Sequence, residues 1–455
     1  MNSTCRVLQT RLSSTQALKK TSKDFLPYVL APRPPRRVET LWSNPSTMIA
    51  EQVFMQRRPK RHILPCVLMR AGTSKGIFLH RQDLPTSELD WAPHLISALG
   101  SRGNDPRQID GVGGGTSTTS KVAVVSRSQR ADADIDWTFV QVAVGKESID
   151  LTGNCGNMTA GVAPFAVQEG LVQTQPGQTQ MDVRIYNTNT DRIVIETVAL
   201  DASGDYEEAG DYTIAGVSSP GSEVKCTFVE PIGSMTGRLF PSNNQQQQIL
   251  HVHSHDRSPF NVRVTLIDSA NPFVLIDASS IKTLLQSLHS DSAQNTLVES
   301  VRREAAVAMG LAPNVEVAAQ TRGTPKAALV YRPTAGPISS NGDIRIQAYS
   351  MGLPHPSLQL TGAVTVAVAL SCPGTIAAEL AATTEKRALL TPEHTPPPDE
   401  EIGKKGLGSE REVRIAHSKG VIKVDVVMGN DGRVVSCAVS RTARRLFEGR
   451  IRYYV

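Results

Sequence analysis

Two side chains in this sequence have the type and the setting that proton chemistry on an anion needs: Lys121 and Cys155. Cys155 lies in Gly153-Asn154-Cys155-Gly156-Asn157-Met158, between a strand-like run and a stretch of small and apolar residues that reads as a helix. A helix start offers unpaired N–H groups and the positive end of the macrodipole, which hold a carboxylate and favour a thiolate together. A tight turn around a half-buried thiol would use the same residues. Lys121 closes Gly113-Gly114-Gly115-Thr116-Ser117-Thr118-Thr119-Ser120 and abuts the apolar run Val122 to Val125. The glycines let backbone approach a ligand closely, and the hydroxyls with the ammonium can surround a polyanion. A lysine at the edge of a buried strand is partly desolvated, which favours the neutral form a base requires.

Two further stretches carry donors. Arg70-Ala71-Gly72-Thr73-Ser74-Lys75-Gly76 follows a buried-strand run and presents N–H, hydroxyl and ammonium groups, but without the G-x-x-x-x-G-K-S/T spacing of a nucleotide-binding loop. His355-Pro356-Ser357-Leu358-Gln359-Leu360-Thr361-Gly362-Ala363 leads into the apolar helix Val364 to Leu370. It reads as a counterpart of the Cys155 turn without a cysteine. Arg70, Lys75, Lys326 and His355 are the residues that would set how many carboxylates are accepted.

The elements holding these residues form a mixed α+β pattern. Ile281 to Leu311 reads as mainly helical, and Arg441-Thr442-Ala443-Arg444-Arg445 as the start of a last short helix. At 455 residues, two domains are expected. Residues 1–61 read as an extension: five basic residues precede the first acid, Asp24, and Ser and Thr are frequent, as in a mitochondrial transit peptide. The expected location is therefore the mitochondrial matrix, or the cytoplasm if the extension does not target. Residues 385–412, Pro-rich and charged, read as a mobile surface insertion.

Several partners are disfavoured. The net charge of +5 is mild and forms no basic stripe with interleaved aromatics, so no nucleic acid is expected. No apolar run reaches the roughly 18 residues of a membrane span. The six cysteines include no C-x-x-C pair, which suggests neither a zinc site nor a disulfide framework. His251, His253 and His255 alternate on one strand face, but beside a Gln run at a linker, and no metal is assigned.

Taken together, Met69 to Gly76, Gly113 to Lys121, Asn154 to Met158, Gly233-Ser234-Met235-Thr236-Gly237, Asp268 to Pro272, Thr361 to Ala363 and Arg441 to Arg444 resemble the PrpF-type isomerases. That family includes 2-methylaconitate isomerase, methylitaconate Δ-isomerase and fungal aconitate Δ-isomerase. The likeness runs over residues 62–455. It implies a diaminopimelate-epimerase-like architecture of two similar domains, each a β-barrel-like sheet around a central helix, with the active site in the cleft between them. The domains would be 62–250, completed by 441–455, and 251–440. The family's catalytic Lys and Cys match Lys121 and Cys155, while the second-domain turn has Gln359-Leu360-Thr361 where a two-thiol epimerase needs its second cysteine.

The expected reaction is an allylic proton shift on an unsaturated polycarboxylate such as aconitate or 2-methylaconitate. Lys121 removes a proton, a dienolate forms, and the proton returns at the other end of the three-carbon unit. Thr73, Ser74, Lys75, Gly115, Thr116, Ser117, Gly156, Asn157 and Met158, with Arg70, Lys326, His355, Thr361, Gly362 and Ala363, are the expected substrate-binding residues. No cofactor is called for, because delocalisation is built into the substrate. A homodimer is compatible with this reading. Alternatives are an amino-acid racemase or epimerase of the same fold, and a non-catalytic accessory protein to an aconitase-like dehydratase.

Overall fold

The structure, a computed structural model, describes residues 59–254, 257–333, 342–381 and 409–455. The transit-like segment, His255 and most of the expected insertion at 385–412 lie outside the described residues. Eighteen strands are present among them. The first nine are β1 (Arg61–Ala71), β2 (Ser74–His80), β3 (Lys121–Arg127), β4 (Ile135–Val142), β5 (Ile149–Asp150), β6 (Gln180–Asn187), β7 (Arg192–Ala199), β8 (Val224–Val229) and β9 (Gln248–Ser254). The others are β10 (Arg257–Ser269), β11 (Asn271–Asp277), β12 (Lys326–Tyr331), β13 (Ile344–Ser350), β14 (Leu353–Pro354), β15 (Glu410–His417), β16 (Gly420–Met428), β17 (Val434–Arg441) and β18 (Ala443–Tyr454).

Their pairing repeats. One set runs β18-β1-β2-β3-β4-β6-β7-β8, and its neighbours are antiparallel, antiparallel, parallel, antiparallel, parallel, antiparallel, antiparallel. The other set runs β9-β10-β11-β12-β13-β15-β16-β17 with the same succession of senses. An antiparallel β8–β17 pairing joins the two. The last strand of the chain thus returns to β1 and completes the first set.

Each parallel pair needs a crossover, and the crossovers carry the helices. In the first set β2 connects to β3 through α1 (Trp91–Leu99), and β4 to β6 through α2 (Gly156–Thr159) and α3 (Val162–Gln168). In the second set β11 connects to β12 through α4 (Asp291–Ala308), and β13 to β15 through α5 (Leu360–Leu370). One helix per set covers the outside of its sheet and the other fills the inside. Val122 and Val124 pack with Trp91 and Leu95 of α1, while Ala123 and Val125 join Phe165 of α3 on the opposite face. Ala327 and Leu329 pack with Leu297 and Val301 of α4, and Ala328 and Val330 join the cluster that holds α5. Strands buried on both faces read as continuous apolar runs, as β3 and β11 do. All eleven residues of α5 are buried, as an all-round apolar helix requires.

Two local readings are corrected. The helix expected at 441–445 is instead the end of β17 and the start of β18, which pairs with β1 from Ala443 to Tyr454. The neighbouring β1 supplies partners along the whole of β18 except at a bulge that skips Leu446, and that outweighs the local helix pattern. The helical stretch from 281 breaks at Leu288 to Ser290, where the Ser290 side chain caps α4 by accepting from the Ala293 N–H.

Candidate active site

Both β3 and β12 begin with a buried lysine, and the two ammonium groups meet at one cavity between the sheet sets. Lys121 Nζ donates to Gln141 Oε1 at 2.7 Å and lies 4.9 Å from the centre of the Phe139 ring. Gln141 pairs with Lys121 across the β3–β4 ladder and is held by the Ser120 carbonyl at 2.8 Å, so the acceptor is fixed. Lys326 Nζ donates to the Asn154 carbonyl at 2.9 Å and to Thr361 Oγ1 at 3.5 Å. Neither lysine makes an ion pair with a carboxylate of the described residues, although they are only 6% and 7% exposed.

Cys155 stands between them as the residue that precedes α2, with extended backbone. Burial opposes its ionisation. The charges of Lys121 and Lys326, the Met158 N–H and a hydrogen bond from Lys121 together outweigh burial and hold the thiol below its ordinary value. Burial foremost pulls Lys326 down to about 8; the Lys121 charge pushes the same way, and Cys155 and Asp150 resist. The imidazole of His355 is pushed to about 3, first by burial and then by the two lysines. Its Nδ1 accepts from the Ser357 N–H at 3.2 Å, so the neutral ring carries its proton on Nε2 as a donor.

The cavity is small, about 30 Å³, and opens to solvent. Ser74 Oγ, Asn154 Oδ1 and Gln359 Oε1 belong to its lining and are buried without a hydrogen-bond partner among the described residues. The first-turn N–H groups of Gly156 and Asn157 have no carbonyl four residues back within their helix. The arrangement therefore offers two buried lysine amines, a thiol held below its ordinary value, a neutral imidazole N–H and several unspent polar atoms. It can bind a multiply charged anion and move a proton on it. Among the described residues no group of three or more His, Cys, Asp or Glu side chains is placed to hold a metal ion.

Of the residues expected from sequence, Ser74, Ser117, Lys121, Cys155, Asn157, Lys326 and His355 line this cavity. The others are placed differently. Arg70 spends Nη1 on the Gly72 carbonyl and on Thr442, which fastens the β1–β2 turn to β18. Lys75 follows Ser74 on β2, and alternation along a strand sends its side chain to the opposite face. Thr116 bonds to Thr118 and Thr119 within its own turn, and Gly115 packs near Pro106. Thr73 bonds to Ser357 and accepts from Asn157 Nδ2, while Arg441 Nε donates to Asn157 Oδ1, so Thr73 supports the lining from behind. Met158 is core. Gly362 and Ala363 lie inside α5, where the Ala363 N–H is spent on the Gln359 carbonyl. Thr361 reaches Lys326. Gly156 has a packing role: a Cβ there would meet Leu360 at 2.8 Å and the Thr361 N at 3.0 Å, so its absence lets the two helix starts touch.

Sequence reading missed Phe139, Gln141, Asp150, Gly323, Ser350 and Gln359 as lining. Gln141 and Phe139 become visible only through the β3–β4 register, and Gly323 only because its N–H donates to Asp150 Oδ2 across the cleft at 3.0 Å. Gln359 precedes α5 as Cys155 precedes α2, so the cavity holds one thiol from these two stations.

Known proteins resemble this chain over most of its length. A family model described as PrpF protein matches residues 61–396. A 2-methyl-aconitate isomerase of Shewanella oneidensis is 33% identical over 407 residues, which covers 84% of this chain and 95% of that one. A 4-oxalomesaconate tautomerase of Pseudomonas putida is 33% identical over 390 residues, covering 85% and 95%. Among solved structures, a methylitaconate-delta-isomerase aligns with a TM-score of 0.63 at 29% identity and covers 86% of this chain and 96% of that one.

Proposed function

The chain belongs to the PrpF family and is an isomerase; on that premise we propose that it moves the carbon–carbon double bond of an aconitate-type di- or tricarboxylate by an allylic 1,3-proton shift. The observation that carries the substrate class is the pair of buried lysines without carboxylate partners in one cavity. A buried cation left without a counter-charge is costly, and a polyanionic substrate supplies that charge.

The residues divide the work. Lys121, fixed by Gln141 and beside Cys155, is the base that takes the allylic proton. The electron pair spreads as a dienolate onto the conjugated carboxylate. Rotation in that intermediate allows cis–trans interconversion, and return of a proton at the far carbon completes the shift. The His355 Nε2–H, Ser74, Ser117 and the N–H groups opening α2 meet the charge as it develops; a well-aimed donor of this kind is worth about 2.7–4 kcal/mol of barrier. Cys155 lines the site beside the two lysines and is not required to carry a proton itself.

The test is a panel of unsaturated acids, including cis- and trans-aconitate and 2-methylaconitate, followed by proton NMR in D₂O. At least one acid is expected to change isomer and gain deuterium at the allylic carbons. A panel that binds but neither exchanges nor isomerises would contradict the proposal. We further propose a mitochondrial location from the basic, acid-poor start of the chain. Failure of residues 1–60 to carry a fluorescent reporter into mitochondria would remove that proposal.

A further inference from the structure

The Arg441-Thr442-Ala443-Arg444 stretch, one of those by which the chain resembles its family, opens with a side chain that does not line the lysine cavity. Arg441 ends β17 opposite Val224 of β8 and is only 6% exposed. Its side chain passes the β1–β2 turn, where a Cβ on Gly72 would stand 3.2 Å from Arg441 Cδ. Nε donates to Asn157 Oδ1 at 3.3 Å, and Nη1 donates to the Ser440 carbonyl at 2.8 Å. Both acceptors are neutral. Among the described residues Nη2 has no partner and no carboxylate pairs with the guanidinium. Burial pulls Arg441 down to about 10, with Cys226 and Tyr212 resisting, so the group stays a cation at neutral pH.

The guanidinium lines a pocket of about 360 Å³ that opens to solvent. This pocket backs onto the wall of the lysine cavity. Thr73 and Ser357 bond to each other at 3.1 Å and line the pocket, while Asn157, which donates to Thr73 and accepts from Arg441, lines the cavity. His417 also lines the pocket. Burial, then the Arg441 charge, pushes its ring down to about 4. Its Nδ1 accepts from the Lys419 N–H at 3.2 Å, so the neutral imidazole keeps its proton on Nε2 as a donor. Ile214, Leu358, Val421 and Ile422 give the pocket an apolar side. Its other two charged residues, Asp211 and Lys423, are exposed, and Lys423 already pairs with Glu412 at 3.2 Å.

We propose that this pocket binds a small monocarboxylic acid, its carboxylate on Arg441 and its short apolar body against Ile214, Leu358 and Val421. As with the two lysines, a buried cation without a counter-charge is costly, and one carboxylate supplies the single charge that Arg441 lacks. The Nη2 group and the hydroxyls of Thr73 and Ser357 are donors suited to the two oxygens of a carboxylate. The apolar side offers nothing to a second charged group. That separates this pocket from the lysine cavity, where two cations call for a polyanion. Binding here involves no covalent step and is independent of the isomerase reading.

Titration calorimetry of the full chain with butyrate tests this. One butyrate per chain is expected to bind, and Arg441→Gln should weaken it by about tenfold or more, the loss of one charged contact. Because Arg441 also supports Asn157, a second variant spares the core. Thr213 is exposed and lines the pocket, so Thr213→Glu brings in a carboxylate that competes with the ligand for the guanidinium. It too should weaken butyrate by about tenfold or more. Lys326→Met, which alters only the neighbouring cavity, should leave the affinity within about twofold. No butyrate binding, unchanged binding in Thr213→Glu, or loss of binding in Lys326→Met would overturn the assignment. So would inorganic phosphate binding more tightly than butyrate and displacing it, since phosphate gains nothing from the apolar side.

Discussion

At the residue scale, titratable groups in the interior set how the molecule answers to pH, and they do so away from the cavity as well as within it. Glu196 is fully buried on β7, accepts the Ala163 N–H at 2.9 Å, lies 3.7 Å from Cys226 Sγ, and has no basic partner among the described residues. Burial raises its carboxyl to about 8. A carboxyl raised on folding contributes stability that is complete below its unfolded value and is lost as pH rises through the folded one. The melting temperature is therefore expected to decline from about pH 5 to about pH 8, and Glu196→Gln, which keeps the acceptor, should flatten that decline. An unchanged slope in the variant would contradict this. Residue types and the family resemblance pointed to the thiol, the lysines and His355, and these line one cavity. They did not tell which donors face inward. Ser74 and Lys75 are neighbours of equal promise in the sequence, and only the alternation of β2 separates the one that lines the cavity from the one that does not.

At the element scale, the site depends on the starts of α2 and α5 being in contact. Gly156 permits this, and its replacement by Ala sets a methyl against Leu360 and the Thr361 backbone. Overpacking of this kind costs about 1–3 kcal/mol. Gly156→Ala is expected to lower both the melting temperature and kcat, because Thr361 also holds Lys326. A variant with full kcat and an unchanged melting temperature would show that the contact is slack. The apolar runs of β3, β11 and α5 made these elements readable, since burial on every side leaves a continuous pattern. The start of the strand at 443–454 was misread as a helix because its partner β1 lies at the other end of the chain, and no local signal reports that pairing.

At the scale of the whole molecule, a family resemblance pointed to two similar halves, and the ladders show how the repeat is built. Its register could not be seen in the sequence, since the two sets share strand senses and stagger and few residue identities. What the repeat accomplishes is to bring one lysine from each sheet to a single cavity beside Cys155, where an unsaturated polycarboxylate can lose and regain a proton. The most direct measurement is exchange of the allylic protons of the best substrate in D₂O, compared between the unmodified protein and its Lys121→Ala and Cys155→Ser variants. Exchange should disappear in Lys121→Ala and persist, reduced by no more than about 10²-fold, in Cys155→Ser. Full exchange in Lys121→Ala would mean that another group is the base, and the chemistry proposed for this cavity would be wrong.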